Sequence, residues 1–532
     1  MPLARRTSSP LILSLLLPLV LLAAAPALAG NTGAVTWPDN YFLNNSVVVM
    51  TTSAASVEDL TASTDVNLFY LDGSLAQGVS LIDAKNPNQL NSAALEVGAK
   101  VHIRGQSTKG AAKPQFAVKL EGDWPVSGAN FLDMPYGGDE WVFNDCGAVD
   151  KVMLRNMLAF DMQRTLGENT GSNAWAPRTK YFEMFIVTGQ TADEMQNKTL
   201  PTLTELLNSY AGVYLNLEKI AADPNRVDIP TTYAPPATGA LGGLLLQLNT
   251  PSDDSRLVFN NGSTAIANTG DPALVEWPEA DFLNTGDYAT AIENWWYNPS
   301  ATGDFRGWAY MFNGAPSGYI TTPATPDSSV IDPTTYWNMV ENYTDLNSFA
   351  EYFLLNEVAK DPDGYHRSTF MYRQPDAKNQ DGTITPGKLY AGPLWDKNKS
   401  YANPDLNYAV GDYKNPEGWL FTDLSMTQAP WWWTTLSTYE GFQDAVTSAW
   451  TAGTLDETGA FSPTRIATLV QEQSDTLSSN GSYARDYQCY NGTAEQAAAE
   501  LQTGTSDLIT YLGERLTWLN ENLPILGQAV NQ

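Results

Sequence analysis

The stretch GKLYAGPLWDKNKSYAN, residues 387–403, ends an apolar run in a carboxylate, Asp396, and sets Lys397, Asn398 and Lys399 directly after it. A second acidic group stands upstream in KDPDGYHRS, where Asp361 and Asp363 precede His366, Arg367 and Ser368. A third set is cationic and hydroxylic: Arg104, Ser107, Lys109, Lys113 and Lys119 lie within IRGQSTKGAAKPQFAVKL. Phosphoryl transfer needs such a mixture: cations and amides around phosphates, an oxygen ligand for a hard metal ion, and a carboxylate to orient an attacking hydroxyl. Each motif also has a plain structural reading. The first is a buried strand ending in a solvated turn, the second a DPDG turn with Gly364 in a left-handed conformation, the turn of the third a solvated basic hairpin, and Lys119 a solvent-facing strand lysine. Two cysteines and two histidines, His102 and His366, leave no room for a zinc cluster of the usual spacing, so any metal is expected to be a hard cation held by carboxylates.

The elements that must position these residues are legible from periodicity. Residues 100–123 alternate as a β-hairpin around a Gly-rich, lysine-bearing turn. DKVMLRNMLAFDMQRTLG follows with Val152, Leu154, Met157, Leu158, Met162 and Leu166 near helical spacing, Asp150 as the expected cap and Gly167 as the expected stop. RTKYFEMFIVTG, AGVYLNLEKI and GGLLLQLNT read as further strands, giving a sheet of about five, with residues 190–209 as an inserted helical excursion. TDLNSFAEYFLLNEVAKDPDG is a helix that ends before Pro362, and the segment after it is a hairpin with a long polar turn, delivering Asp396. The C-terminal third is helical. Residues 250–340, rich in Pro, Gly, Asn, Asp and Trp, read as an irregular insertion.

Composition sets the outer bounds. The first 29 residues, with Arg5, Arg6, an apolar run and an Ala27-Leu28-Ala29 exit, predict a secretory signal peptide, and no later segment is apolar enough to span a bilayer. The formal charge of −30 disfavours nucleic acid and anionic lipid and favours basic or cation-bridged partners. In an exported chain Cys146 and Cys489 pair if the fold brings them together. DAKNQDGTITPGK fits a calcium loop only with Ala377 first and Lys388 last, so it reads as a turn. Trp431–Trp433 is a core-packing cluster or a sugar- or peptide-binding face.

Seven blocks, IRGQSTKGAAKPQFAVKL, DKVMLRN, APRTKYFEMFI, GVYLNLEKI, GGLLLQL, YFLLNEVAKDPDGYHRSTFMYR and GKLYAGPLWD, resemble in this order the CotH spore-coat kinase family, whose members are similar to highly diverged protein kinases. The resemblance spans about residues 98–405. It implies an α+β, two-lobed kinase-like fold with a kinase-like N-lobe over 98–249 and a helical C-lobe over 341–530; a β-rich extension over 30–97 and the insertion over 250–340 lie outside the resemblance.

It also implies roles. Asp363 takes the place of the catalytic base, and Ser368, five residues on, stands where kinases carry a metal-binding Asn. Lys119 resembles the strand lysine that holds the phosphates, with Lys113 as rival. Arg104, Ser107 and Lys109 would cover phosphates. Glu183 and Glu218 are alternative acidic partners for Lys119, and Glu218, which also reads as a surface partner of Lys219, marks the hinge. Asp396 resembles the metal-binding Asp, and Asn398 replaces the second acid common in the family. The implied activity is an exported, atypical serine/threonine protein kinase using ATP with Mg²⁺ or Mn²⁺ on a secreted or coat protein of basic or Ser-rich character. The alternatives are an inactive adhesin or coat component on the same fold, or another ATP-dependent transferase or ligase.

Overall fold

The computed structural model describes residues 35, 46–71, 82–83, 86–90, 95–105, 110–122, 130–145, 149–230, 241–249, 258–259, 273–278, 333–406, 411–423, 425–427 and 429–531. The expected signal peptide, most of the expected insertion, Ser107, Lys109 and Cys146 lie outside these residues.

The N-terminal part is built of strands β1 (Val47–Thr52), β2 (Thr64–Leu71), β3 (Ile82–Asp83), β4 (Asn86–Leu90), β5 (Leu95–Arg104), β6 (Gln115–Leu120), β7 (Glu140–Asn144), β8 (Thr179–Val187) and β9 (Tyr210–Glu218). All but the β3–β4 hairpin join one closed barrel in the order β1-β2-β5-β6-β7-β9-β8. Closure comes from β1, which pairs antiparallel with β2 and parallel with β8. Its sequence VVVMTT is buried throughout because both faces are covered. Val48 and Met50 point into the barrel with Phe116, Val118, Trp141 and Phe182, whereas Val47 and Val49 meet Phe185 and Leu206 outside it. The expected five-stranded sheet is thus a seven-stranded barrel, and the stretch 30–97 supplies two of its strands.

β10 (Leu244–Leu248), expected in that same sheet, instead centres a second one. With β11 (Val258–Phe259), β12 (Ala273–Trp277), β13 (Thr369–Arg373) and β16 (Leu389–Ala391) it forms a five-stranded sheet in the order β11-β12-β10-β13-β16. The apolar run of β10 satisfies either sheet, and its antiparallel register with β13 decides between them. Between β13 and β16 the polar turn carries the small hairpin of β14 (Ala377–Lys378) and β15 (Ile384–Thr385), where Asp381 accepts from the Thr383 amide at 2.9 Å.

The helices are α1 (Arg155–Thr170), α2 (Ala192–Gln196), α3 (Leu203–Leu207), α4 (Pro333–Tyr343), α5 (Leu346–Ala359), α6 (Trp431–Ser437), α7 (Glu440–Thr454), α8 (Pro463–Ser478), α9 (Ser482–Tyr490) and α10 (Ala494–Asn522). α5 is central to the helical part, and its residues 349–359 are all buried, so its apolar face is nearly continuous. Trp432 and Trp433 are 2% exposed, and Trp433 packs against Phe349, Tyr352 and Tyr365, so these two tryptophans are core.

Two expected boundaries shift. Asp150 lies outside α1, whose N-cap is Leu154, yet its Oδ2 still accepts from the Arg155 amide at 2.9 Å. The helix runs past Gly167 to Gly171, which takes the left-handed cap at φ 79°, while a Cβ on Gly167 would lie 2.5 Å from the Ala174 amide. Gly167 marks a close approach rather than an end.

Candidate active site

Helix α1 holds the Asp396 segment. Gln163 Oε1 accepts from the Leu394 amide at 2.8 Å, Asn156 Oδ1 from the Lys397 amide at 2.5 Å, and Arg155 Nε donates to the Ser400 carbonyl at 2.9 Å. Arg155 is itself paired with Asp150, both side chains 2% exposed. The motif DKVMLRN therefore positions a segment about 240 residues downstream. Asp396, five residues past the end of β16, sits at φ 53°, a left-handed conformation. Its carboxylate is half-buried, and burial, with Asp361 and Asp363 nearby, raises its pKa against the opposing charges of Lys399 and Arg104.

After Asp396 the two lysines diverge. Lys397 goes inward, 1% exposed, with Nζ 3.3 Å from Asp361 Oδ2. Lys399 reaches the next acid of the DPD turn, with Nζ 2.5 Å from Asp363 Oδ2. The pair spacing matches, 361 and 363 against 397 and 399, and so fixes the DPDG turn against the Asp396 segment. Asp361 also accepts from the Asp363 amide at 2.9 Å. Burial would raise the carboxyl of Asp363, but Lys399, His366 and Arg367 outweigh it and hold it below the ordinary value. The expected left-handed Gly364 is not found. Tyr365 takes the positive angle at φ 69°, and Gly364 is needed because a Cβ would lie 2.8 Å from the Asp361 carbonyl.

A cavity opens beside Asp396, walled by Arg104 and Gln115 of the barrel, Asn144 at the end of β7, Asn156 of α1, and Asn398 and Lys399. The Arg104 guanidinium lies 5.4 Å from the centre of the Trp395 ring, which fixes the β5 end against this wall. Asn398 is 5% exposed, and its Oδ1 has no hydrogen-bond partner. The wider groove between α8 and α10, lined by Ser474, Gln502 and Thr505, contains none of the candidate residues.

The cationic residues separate. Lys119 alternates outward from Phe116, Val118 and Leu120, is 62% exposed, and lies 3.8 Å from Asp139. The structure therefore does not bring it to the cavity. Lys113 is buried and donates at 2.5 Å to both the Val213 carbonyl and Asp486 of α9, with the Tyr214 ring centre 5.0 Å away. Gly212 makes this possible, since it sits at φ 96° and a Cβ there would lie 2.2 Å from Asp486 Oδ1.

Neither glutamate pairs with either lysine. Glu183 binds Arg485, the neighbour of Asp486, at 2.9 Å, and Tyr210 at 2.7 Å. Glu218 accepts from Arg178 at 2.6 and 2.8 Å, while Lys219 pairs with Glu140. Ser368, at φ 48°, is not among the cavity walls.

Sequence reasoning missed three residues here. Asp486 lies 373 positions from Lys113, and Asn156 contacts the site through a backbone amide, so neither leaves a local pattern. Asp145 follows the cavity-lining Asn144, is 1% exposed, and has an Oδ2 without partner. Burial, with Asp396 and Asp486 nearby, pushes it up to about 7 against the charge of Lys113. Cys489 is a free thiol pushed up to about 12 by burial.

A family model described as CotH kinase protein matches residues 101–241 and 326–519, more than half of the chain. The chain belongs to that family. No curated protein matches it.

Proposed function

We propose that this member of the CotH kinase family binds a nucleoside triphosphate, ATP, with Mg²⁺ or Mn²⁺ in the cavity beside Asp396, and phosphorylates Ser or Thr of a protein outside the cytoplasm. The observation that carries the reading is Lys399, which lines the cavity with Asp396, Asn398 and Arg104 and pairs with Asp363 beyond that lining. In this reading Asp396 serves the metal and Asp363 the proton.

The donors fit a hard cation. Asp396 and the unpartnered Asn398 Oδ1 are oxygen ligands, and among the described residues no group of three or more His, Cys, Asp or Glu side chains gathers to hold a metal alone. Mg²⁺ is ordinarily held by one or two carboxylates together with phosphate oxygens and water, so this sparse set agrees with a cation that arrives with its nucleotide.

When bound, the metal-nucleotide complex would supply the phosphoryl group and neutralise part of its charge. The remaining work falls to the chain. Asp396 would ligate the cation, with Asn398 completing its side of the shell. Arg104 would face phosphate oxygens, whereas Ser107 and Lys109, expected from the sequence to share that role, lie outside the described residues. Lys113, rather than Lys119, is the buried lysine of the hairpin and takes the phosphate role, with Asp486 as its acidic partner. Asp363, held ionised by its cationic neighbours, would accept the proton of the acceptor hydroxyl. Ser368 does not line the cavity, and Glu183 and Glu218 pair with Arg485 and Arg178, so none of the three is given a role in this reading.

Incubation of purified protein with γ-labelled ATP and Mn²⁺, followed by mass spectrometry of the protein and of a casein-type acceptor, tests the reading. Covalent phosphate supports it. Covalent nucleotide assigns a nucleotidyl transferase, and absence of any transfer together with absence of nucleotide binding leaves a coat or adhesion role, which the neutral Asn398 favours.

A further inference from the structure

We propose that Lys399 recognises the terminal phosphate and so makes the site discriminate a nucleoside triphosphate from a diphosphate. The inference rests on the reading of the cavity as a nucleotide site. Its basis is the different fate of two lysines two residues apart. Lys397 is 1% exposed and faces Asp361 behind the wall, whereas Lys399 is 20% exposed and lines the cavity itself with Arg104, Asp396 and Asn398.

Lys399 also touches the carboxylate assigned as base, at 2.5 Å, and Arg367 lies 3.8 Å from the other oxygen of that group. The terminal phosphate is the one that must come close to the acceptor hydroxyl, and therefore close to Asp363. A phosphate there meets the negative charges of Asp363 and Asp396, and a compact ammonium between them offsets this repulsion. An ammonium carries three donors and acts through space, so its bond to Asp363 is compatible with a phosphate oxygen as a second partner. Asn398 brings no charge to the cation, and a positive side chain one residue on suits a site that balances phosphate charge with fewer acids and one more base.

The test is calorimetric titration of the full chain with ATP and with ADP, each in excess Mn²⁺. Wild type is expected to bind ATP about tenfold more tightly than ADP. Lys399→Met should lose that preference by weakening ATP about tenfold while leaving ADP within about twofold, and Lys399→Arg should keep most of it. Should Lys399→Met fail to fold, Lys399→Gln makes the same comparison. A preference that survives in a folded Lys399 variant overturns the inference, as does an equal loss for both nucleotides, which marks a structural role. Wild type that binds neither nucleotide instead overturns the nucleotide reading itself.

Discussion

Lys397 and Asp361 form a buried pair beneath the candidate site, 3.3 Å apart and 1% and 0% exposed, in the geometry of a charge contact rather than a directed hydrogen bond. Two buried charges cost desolvation, and the pair is tolerated because each compensates the other. Lys397→Met would leave Asp361 uncompensated and is expected to cost about 3–5 kcal/mol. Asp361 also accepts from Ser400 and from the Asp363 amide, so the loss should spread into the DPDG turn. Urea unfolding measures the cost, and the double variant Lys397→Met, Asp361→Leu should recover a large part of it.

The two hairpin lysines predict opposite outcomes. Lys119→Met should leave Mn²⁺·ATP affinity unchanged, because its ammonium faces solvent beside Asp139. Lys113→Met should lower that affinity about tenfold or more, and it also strands Asp486 in the interior. Pairing it with Asp486→Leu separates the two effects: stability returns in thermal melts while nucleotide affinity does not. Equal affinity in both single variants would remove Lys113 from the phosphate site.

The two carboxylates separate by function. Asp396→Asn is expected to weaken the metal-nucleotide complex and abolish transfer, whereas Asp363→Asn should bind nearly as wild type and turn over about a hundredfold more slowly or worse. Calorimetry and single-turnover rates together decide this. Unchanged transfer in the Asp363 variant excludes it as the base.

Asp145 gives the protein a pH signature. Its folded carboxyl is pushed up to about 7 by burial, so between the ordinary aspartate value and 7 the folded state holds a proton that the unfolded state has released. Stability from this group is therefore full in acid, falls as pH rises through that window, and is lost above it. The span is worth on the order of 4 kcal/mol. Asp145→Asn, measured in chelator, should flatten this slope and melt above wild type at pH 8. Parallel pH profiles for the two proteins would contradict the assignment.

Backbone geometry predicts a contrast between two glycines. Gly212→Ala meets both a positive φ of 96° and a Cβ position 2.2 Å from Asp486 Oδ1, while Gly110→Ala meets only the φ of 90° with open space around it. The first should cost about 3 kcal/mol or more and the second about 1 kcal/mol. Chemical denaturation of the two variants measures the difference.

What the sequence determined by itself is local or collinear. The alternation around Lys119, the helices over 155–170 and 346–359, the hairpin that delivers Asp396 and the ordered blocks of the CotH family are all written in neighbours a few residues apart. A side chain's face on a strand or helix follows from a period of 2 or 3.6, so such features survive without knowledge of the fold. Tertiary structure decided the rest. The barrel closes because β1 finds β8, more than a hundred residues away, and nothing in VVVMTT distinguishes a strand with two partners from an edge. The same packing buried Lys113 against Asp486 by bringing α9 against Gly212 while Lys119 stayed exposed, and it turned the lysines after Asp396 into partners of Asp361 and Asp363. Buried charges are stable only beside a compensating charge, and which charge that is depends on how distant elements pack, not on their spacing along the chain.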